Sequence, residues 1–91
     1  MKYSQWLRVR LAEAGFGYYG GTSAAADVIG VSRTTLHSWL TGRYVPTGDR
    51  LMKVAAALAG EDCEKFAELL LEQISVISTG EADYRRFLAA P

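Results

Sequence analysis

Residues 22–46 read TSAAADVIGVSRTTLHSWLTGRYVP, and the part from Ala26 to Trp39 decides the fold. Gly30 sits between two short segments of helical periodicity. A tight turn between helices needs a left-handed backbone position, which glycine alone takes without cost. Ala26, four residues earlier, is small enough for a second helix to cross closely. Val31, Leu36, Trp39 and Leu40 then recur at the spacing of one inward stripe. The pattern predicts a helix over 24–29 capped by Thr22 or Ser23. A second follows over 33–41, capped by Ser32 and ended by Gly42.

The side chains left outward on that second helix are Arg33, Thr34, His37, Ser38 and Thr41. They share one face by the i, i+1, i+4, i+5, i+8 rule. Solvated helix faces are usually built from Glu and Lys. This one carries a cation, hydroxyls and an imidazole, with no acid. Arginine can bind guanine through two hydrogen bonds, and Ser or Thr can donate or accept at base edges. The competing reading is an ordinary polar helix surface.

Working outward, Trp6, Leu7, Leu11 and Ala14 predict a first helix over 3–14, with Gly15 as its stop. Residues 15–21 hold four glycines and read as a loop. The loop's Phe16, Tyr18 and Tyr19 could pack on the core, stack on a partner or start a hairpin. Pro46 biases Val45 toward extended backbone. Leu51, Val54, Ala55 and Leu58 mark a fourth helix over 48–59. A fifth over 61–78, ended by Gly80, has a predicted core stripe of Cys63, Phe66, Ala67, Leu70, Ile74 and Ile77. A sixth over 81–90 would group Tyr84, Phe87 and Leu88. The fold expected is all-α with five or six helices. Residues 1–59 form its first part and 60–91 a helical extension of the same compact unit.

Leu69, Leu71 and Val76 fall outside the predicted stripe. A helix with a second apolar patch usually buries it against something. Together with Tyr84, Phe87 and Leu88 they form the expected dimer surface. The alternative is that the 81–90 segment folds back over Leu69 and Leu71 within one chain.

Ninety-one residues make one domain at most. One cysteine, Cys63, rules out an internal disulfide and a cysteine-rich zinc site, and fits a reducing cytoplasm. It reads as a small buried apolar residue. His37 stands without a second ligand, so no metal is expected. No nucleophile–base grouping, phosphate loop or carboxylate pair appears, so neither enzyme activity, cofactor nor small-molecule ligand is expected. No stretch has the apolar length of a membrane helix or a signal peptide.

Net charge is zero, which alone speaks against a nucleic-acid partner. The zero conceals a split. Residues 1–59 hold seven cations against three acids, +4, and residues 60–91 hold three against seven, −4. A basic first half and an acidic second half suit a protein that turns one side to phosphate.

The string from Thr22 to Leu40, followed by Thr41-Gly42-x-x-x-Pro46 and Leu51-x-x-Val54-Ala55-x-x-Leu58, resembles the lambda-repressor/Cro-like (XRE) helix-turn-helix family. The departures are Thr22 and Leu40, where the family often has Gln and Glu, and a longer loop at 15–21. The resemblance implies a sequence-specific regulator that binds double-stranded DNA in the cytoplasm, at the nucleoid. It implies base contacts from Arg33, Thr34, His37 and Ser38, and backbone contacts from Thr22, Ser32, Thr41, Arg43 and Arg10. It also implies a homodimer on a palindromic operator, as in phage-type or Cro-like repressors. Two rival readings are an antitoxin, with residues 16–19 as the toxin-facing loop, and a protein-interaction module that has lost DNA binding.

Overall fold

Gly30 takes φ +89° in the computed structural model, and the chain turns there as its sequence requires. The structure describes residues 2–18 and 20–89, with side chains as far as Thr79. Among these residues there are five α-helices and no strand. They are α1 (Tyr3–Leu11), α2 (Gly21–Ile29), α3 (Arg33–Leu40), α4 (Asp49–Ala59) and α5 (Cys63–Ala89). None is long and apolar enough to cross a membrane.

The turn works as the spacing requires. Ala26 is buried at the crossing, and its carbonyl accepts from the backbone N–H groups of both Gly30 and Val31. Leu36 and Trp39 of α3 are buried with Leu7 of α1 and Val54 of α4. Leu40 and Val31 pack at the edge of the same core. Pro46 is fully buried in the connection to α4.

The first helix ends differently from expectation. After Leu11 the chain widens into a π-helical turn, Ala12–Phe16, and Gly15 closes it at φ +96°. Phe16 packs against the core, Tyr18 is exposed, and Tyr19 lies outside the described residues. The predicted loop is therefore mostly ordered turn.

α2 begins at Gly21, three residues earlier than predicted, and neither Thr22 nor Ser23 caps it. Gly20 at φ +85° occupies the cap position instead. The reason is a close approach: a Cβ on Gly21 would lie 2.0 Å from the Phe16 carbonyl oxygen. Only glycine lets the start of α2 rest on the end of the π turn.

α5 departs most. It is one helix through Gly80, so the separate sixth helix is not found. Glycine costs a helix interior about 1 kcal/mol, and the flanking Glu81, Ala82 and Arg85 are good helix formers. Its inward stripe is also rotated from the predicted one. Phe66, Leu69, Leu70, Gln73, Val76 and Ile77 face the core, while Cys63, Ala67 and Ile74 are exposed. Leu69, assigned above to a dimer surface, is thus a core residue, and Val76 is half-buried against that core. Leu71 stays outside, at 67% exposure. The side chains of Tyr84, Phe87 and Leu88 lie outside the described residues.

Gln73 explains the rotation. It is fully buried, accepts a hydrogen bond from the Tyr3 hydroxyl at 2.6 Å and donates to the Leu51 carbonyl at 2.9 Å. One amide thereby joins α1, α4 and α5. Burial pushes the Tyr3 hydroxyl well above the usual tyrosine range, which keeps it a donor.

The glycine contact is testable in urea. Gly21→Ala should lower the unfolding free energy by about 3 kcal/mol, since backbone cannot yield as a side chain can. Gly17→Ala meets only Ala12 at 3.5 Å and should be near neutral. Equal midpoints for the two variants would contradict the close approach.

Candidate nucleic-acid interface

The outward face of α3 is assembled from one helix with separate duties at each position. Ser32, at φ −71° and ψ 154°, caps it: its hydroxyl accepts from the Thr35 backbone N–H at 3.1 Å. That same hydroxyl donates to the Thr35 hydroxyl at 2.8 Å. Ser32 is therefore committed to the cap, and its donor is not free for a phosphate. A phosphate contact from Ser32 would have to displace that bond.

Arg33, Thr34, His37 and Thr41 are exposed, and Ser38 is half-buried. The structure brings these five to one face, as the spacing requires. The Ser38 hydroxyl donates to the Thr35 carbonyl at 2.6 Å. Its lone pairs remain, so in this rotamer it offers an acceptor, suited to the amino group of adenine or cytosine. The Thr41 hydroxyl donates to the carbonyls of His37 (3.0 Å) and Ser38 (3.3 Å). It closes the last turn of α3, so a phosphate would have to displace it. Thr22 lies half-buried in the first turn of α2.

α3 has eight residues, so its axis is roughly 12 Å long at 1.5 Å per residue. That is close to the ~12 Å width of the major groove. Arg33 stands at its first turn, and Arg43 follows its end with the guanidinium 5.9 Å from the centre of the Tyr44 ring. No acid occurs from Val28 to Gly48, a stretch that includes all of α3 and the connection after it. A phosphate near α3 would thus meet no like charge from this segment.

Arg10 does not belong to the set, contrary to the assignment above. Its guanidinium bonds Glu13 at 3.0 Å and the Glu72 carboxylate of α5, and lies 6.0 Å over Trp6. Two carboxylates already neutralise it. The residue that sequence reading passed over is Arg8. It is exposed, and its Nε donates to the Leu40 carbonyl at the end of α3 at 3.0 Å. Helical phase places Arg8 and Arg10 on different sides of α1, but only the packing of α5 tells which side is taken.

Glu72 ties α5 to α1 on the side of α1 that carries Trp6 and Arg10. The Trp6 indole donates to it at 3.0 Å, and this bond, with Arg10, holds its carboxyl below the ordinary glutamate range. A carboxyl lowered on folding contributes stability above its ordinary range and loses that contribution as pH falls. Wild type should therefore lose urea stability more steeply than Glu72→Gln from about pH 5 to 3. Parallel pH profiles would contradict the coupling.

A family model described as helix-turn-helix matches residues 20–70, more than half of the chain, from the start of α2 into α5. No curated protein and no solved structure matches it.

Proposed function

Because the chain belongs to the lambda-repressor/XRE-like helix-turn-helix family of DNA-binding transcription regulators, we propose that it is a sequence-specific repressor. In this reading two copies bind a palindromic operator in double-stranded DNA. Each inserts α3 into the major groove, and occupancy blocks transcription. A phage-type or Cro-like protein is the proposed setting. The observation that carries the reading is the outward face of α3: Arg33, Thr34, His37 and Ser38 together, free of acids and of folding duties other than the Ser38 bond within the helix.

Arg33 is the base-reading cation. Ser38 accepts from an exposed amino group, and Thr34 offers both a hydroxyl and a methyl, which suits thymine. Thr22, Thr41 and Arg43 meet the DNA backbone, Thr41 after releasing its bonds at the helix end. Phosphate contacts hold the register, and the α3 side chains read sequence.

The dimer surface lies on α5 and keeps Leu71 from the expected set, whose Tyr84, Phe87 and Leu88 lie outside the described residues. Leu69 is removed from it by burial. Leu71, Ile74 and Ala67 share the outward face of α5, and Leu71 and Ile74 are its large exposed apolar residues among those described. In this reading a second copy covers this stripe, and the symmetry of the pair matches that of a palindromic operator.

Selection of bound sequences from a random duplex pool tests the function. A palindromic consensus is expected, and the absence of any enrichment would overturn it. On the selected site, Arg33→Ala should weaken binding by about 1–3 kcal/mol and relax preference at one base pair. Unchanged affinity would remove Arg33 from the base-reading set. Leu71→Glu with Ile74→Glu should give monomers by sedimentation at concentrations where wild type is dimeric; a persisting dimer would place the interface elsewhere.

A further inference from the structure

His37 is the single histidine of the chain, and it stands in the middle of the outward face of α3. Arg33 lies one turn before it and Thr41 one turn after. The side chain is exposed. The hydrogen bonds that His37 makes among the described residues are those of its backbone, whose carbonyl accepts from Thr41. It buries nothing and caps nothing, so the fold makes no use of its imidazole.

The surrounding groups give an imidazolium no partner. α3 packs against α1 and α2. From α1, Arg8 reaches the Leu40 carbonyl, Arg10 is turned to Glu13 and Glu72, and the Tyr3 hydroxyl is bonded to Gln73. Lys2, before α1, is exposed. Asp27 is the one charged residue of α2; it is exposed, and no bond joins it to His37 among the described residues. Asp49, Arg50 and Lys53 of α4 are exposed and likewise not bonded to it. Arg33 and the Arg43–Tyr44 pair bring no acid. What His37 carries when the face is covered therefore depends on what covers it.

A neutral imidazole has one donor nitrogen and one acceptor, whereas an imidazolium has two donors and no acceptor. The neutral ring can meet either an amino group or an acceptor, according to its tautomer. The charged ring can meet acceptors alone, through bonds about twice as strong as neutral ones. Guanine shows two acceptors, N7 and O6, in the major groove. Histidine is also the side chain that ordinarily exchanges its proton within about pH 5–8. We propose that His37 reads guanine as an imidazolium, so that recognition of the operator takes up a proton and discrimination sharpens as pH falls. This rests on the DNA-binding reading above and adds to it a regulation of the same face by proton concentration. The sign follows from linkage: a contact made by the protonated form draws a proton on binding, so affinity rises as pH falls through the histidine range.

The test is fluorescence anisotropy at fixed ionic strength from about pH 8 to 6, on the site recovered by selection and on a mixed-sequence duplex. Wild-type affinity for the selected site should rise about three- to twentyfold over that interval, the share of one charged base contact. The rise on the mixed duplex should be smaller. His37→Gln offers hydrogen bonds without a titrating group and should flatten the profile on the selected site. His37→Arg fixes a donor cation there and should flatten it as well. Among single-base changes in the selected site, replacement of one guanine should cost wild type more affinity at the acid end than at the alkaline end. A flat wild-type profile would overturn the proposal. So would an unchanged profile in His37→Gln, which would assign the proton to another group. Equal rises on the two duplexes, or no guanine with a pH-dependent cost, would overturn the base contact. If wild type binds neither duplex at any pH in the interval, the DNA-binding reading itself fails, and this one with it.

Discussion

The amide of Gln73 holds the arrangement together. It has no exposed surface, yet it meets the Tyr3 hydroxyl on one side and the Leu51 carbonyl on the other. A buried amide left without partners costs roughly 1–3 kcal/mol, so alternative rotations of α5 are disfavoured by that amount before any packing is counted. No buried side-chain N or O atom among the described residues lacks a partner. The amide also determines what lies beside it. With Gln73 inward, Leu69 enters the core, Leu71 turns to solvent, and Glu72 reaches Trp6 and Arg10. The outer surface of α5 follows from one polar residue in the core.

α1 is the element through which this reaches the side that carries α3. One of its sides carries Tyr3, Trp6 and Arg10 toward α5, with the Tyr3 and Trp6 rings stacked at 5.5 Å. The other carries Ser4 and Arg8 toward the end of α3. The charge split follows the same division. Acids concentrate on α5, where Glu72 neutralises an α1 cation, and the stretch from Val28 to Gly48 has none. A chain of zero net charge can therefore turn a cationic side to a polyanion, because the two signs occupy different elements.

The turn at Gly30, the Ser32 cap and the inward Leu36 and Trp39 were legible in the sequence because each depends on neighbours within one or two helical turns. So was the polar character of the outward face. The rotation of α5 was not legible: a stripe sought among apolar residues cannot place a buried glutamine. Cys63 and Leu69 were misplaced for that reason alone. The start of α2 was hidden differently. Gly20 and Gly21 read as loop, whereas Gly21 is glycine because the Phe16 carbonyl occupies the space of its Cβ. The roles of Arg8 and Arg10 depend on which helices flank α1, and that is a tertiary fact. The hydroxyls of Ser32 and Thr41 looked available as donors until their bonds within and around α3 were seen.

The eight residues of α3 and the cap before them divide their labour. The cap is Ser32, the anchoring belongs to Leu36 and Trp39, and the exposed Arg33, Thr34 and His37 hold nothing in place. Exposed helix positions of this kind usually accept substitution within about 0.5 kcal/mol of stability. The fold therefore imposes little selective constraint on the letters that would meet DNA. On the proposed reading, drift at these codons would change the site recognised while the scaffold stayed unchanged, so lineages sharing this core would diverge in their sites faster than in their fold.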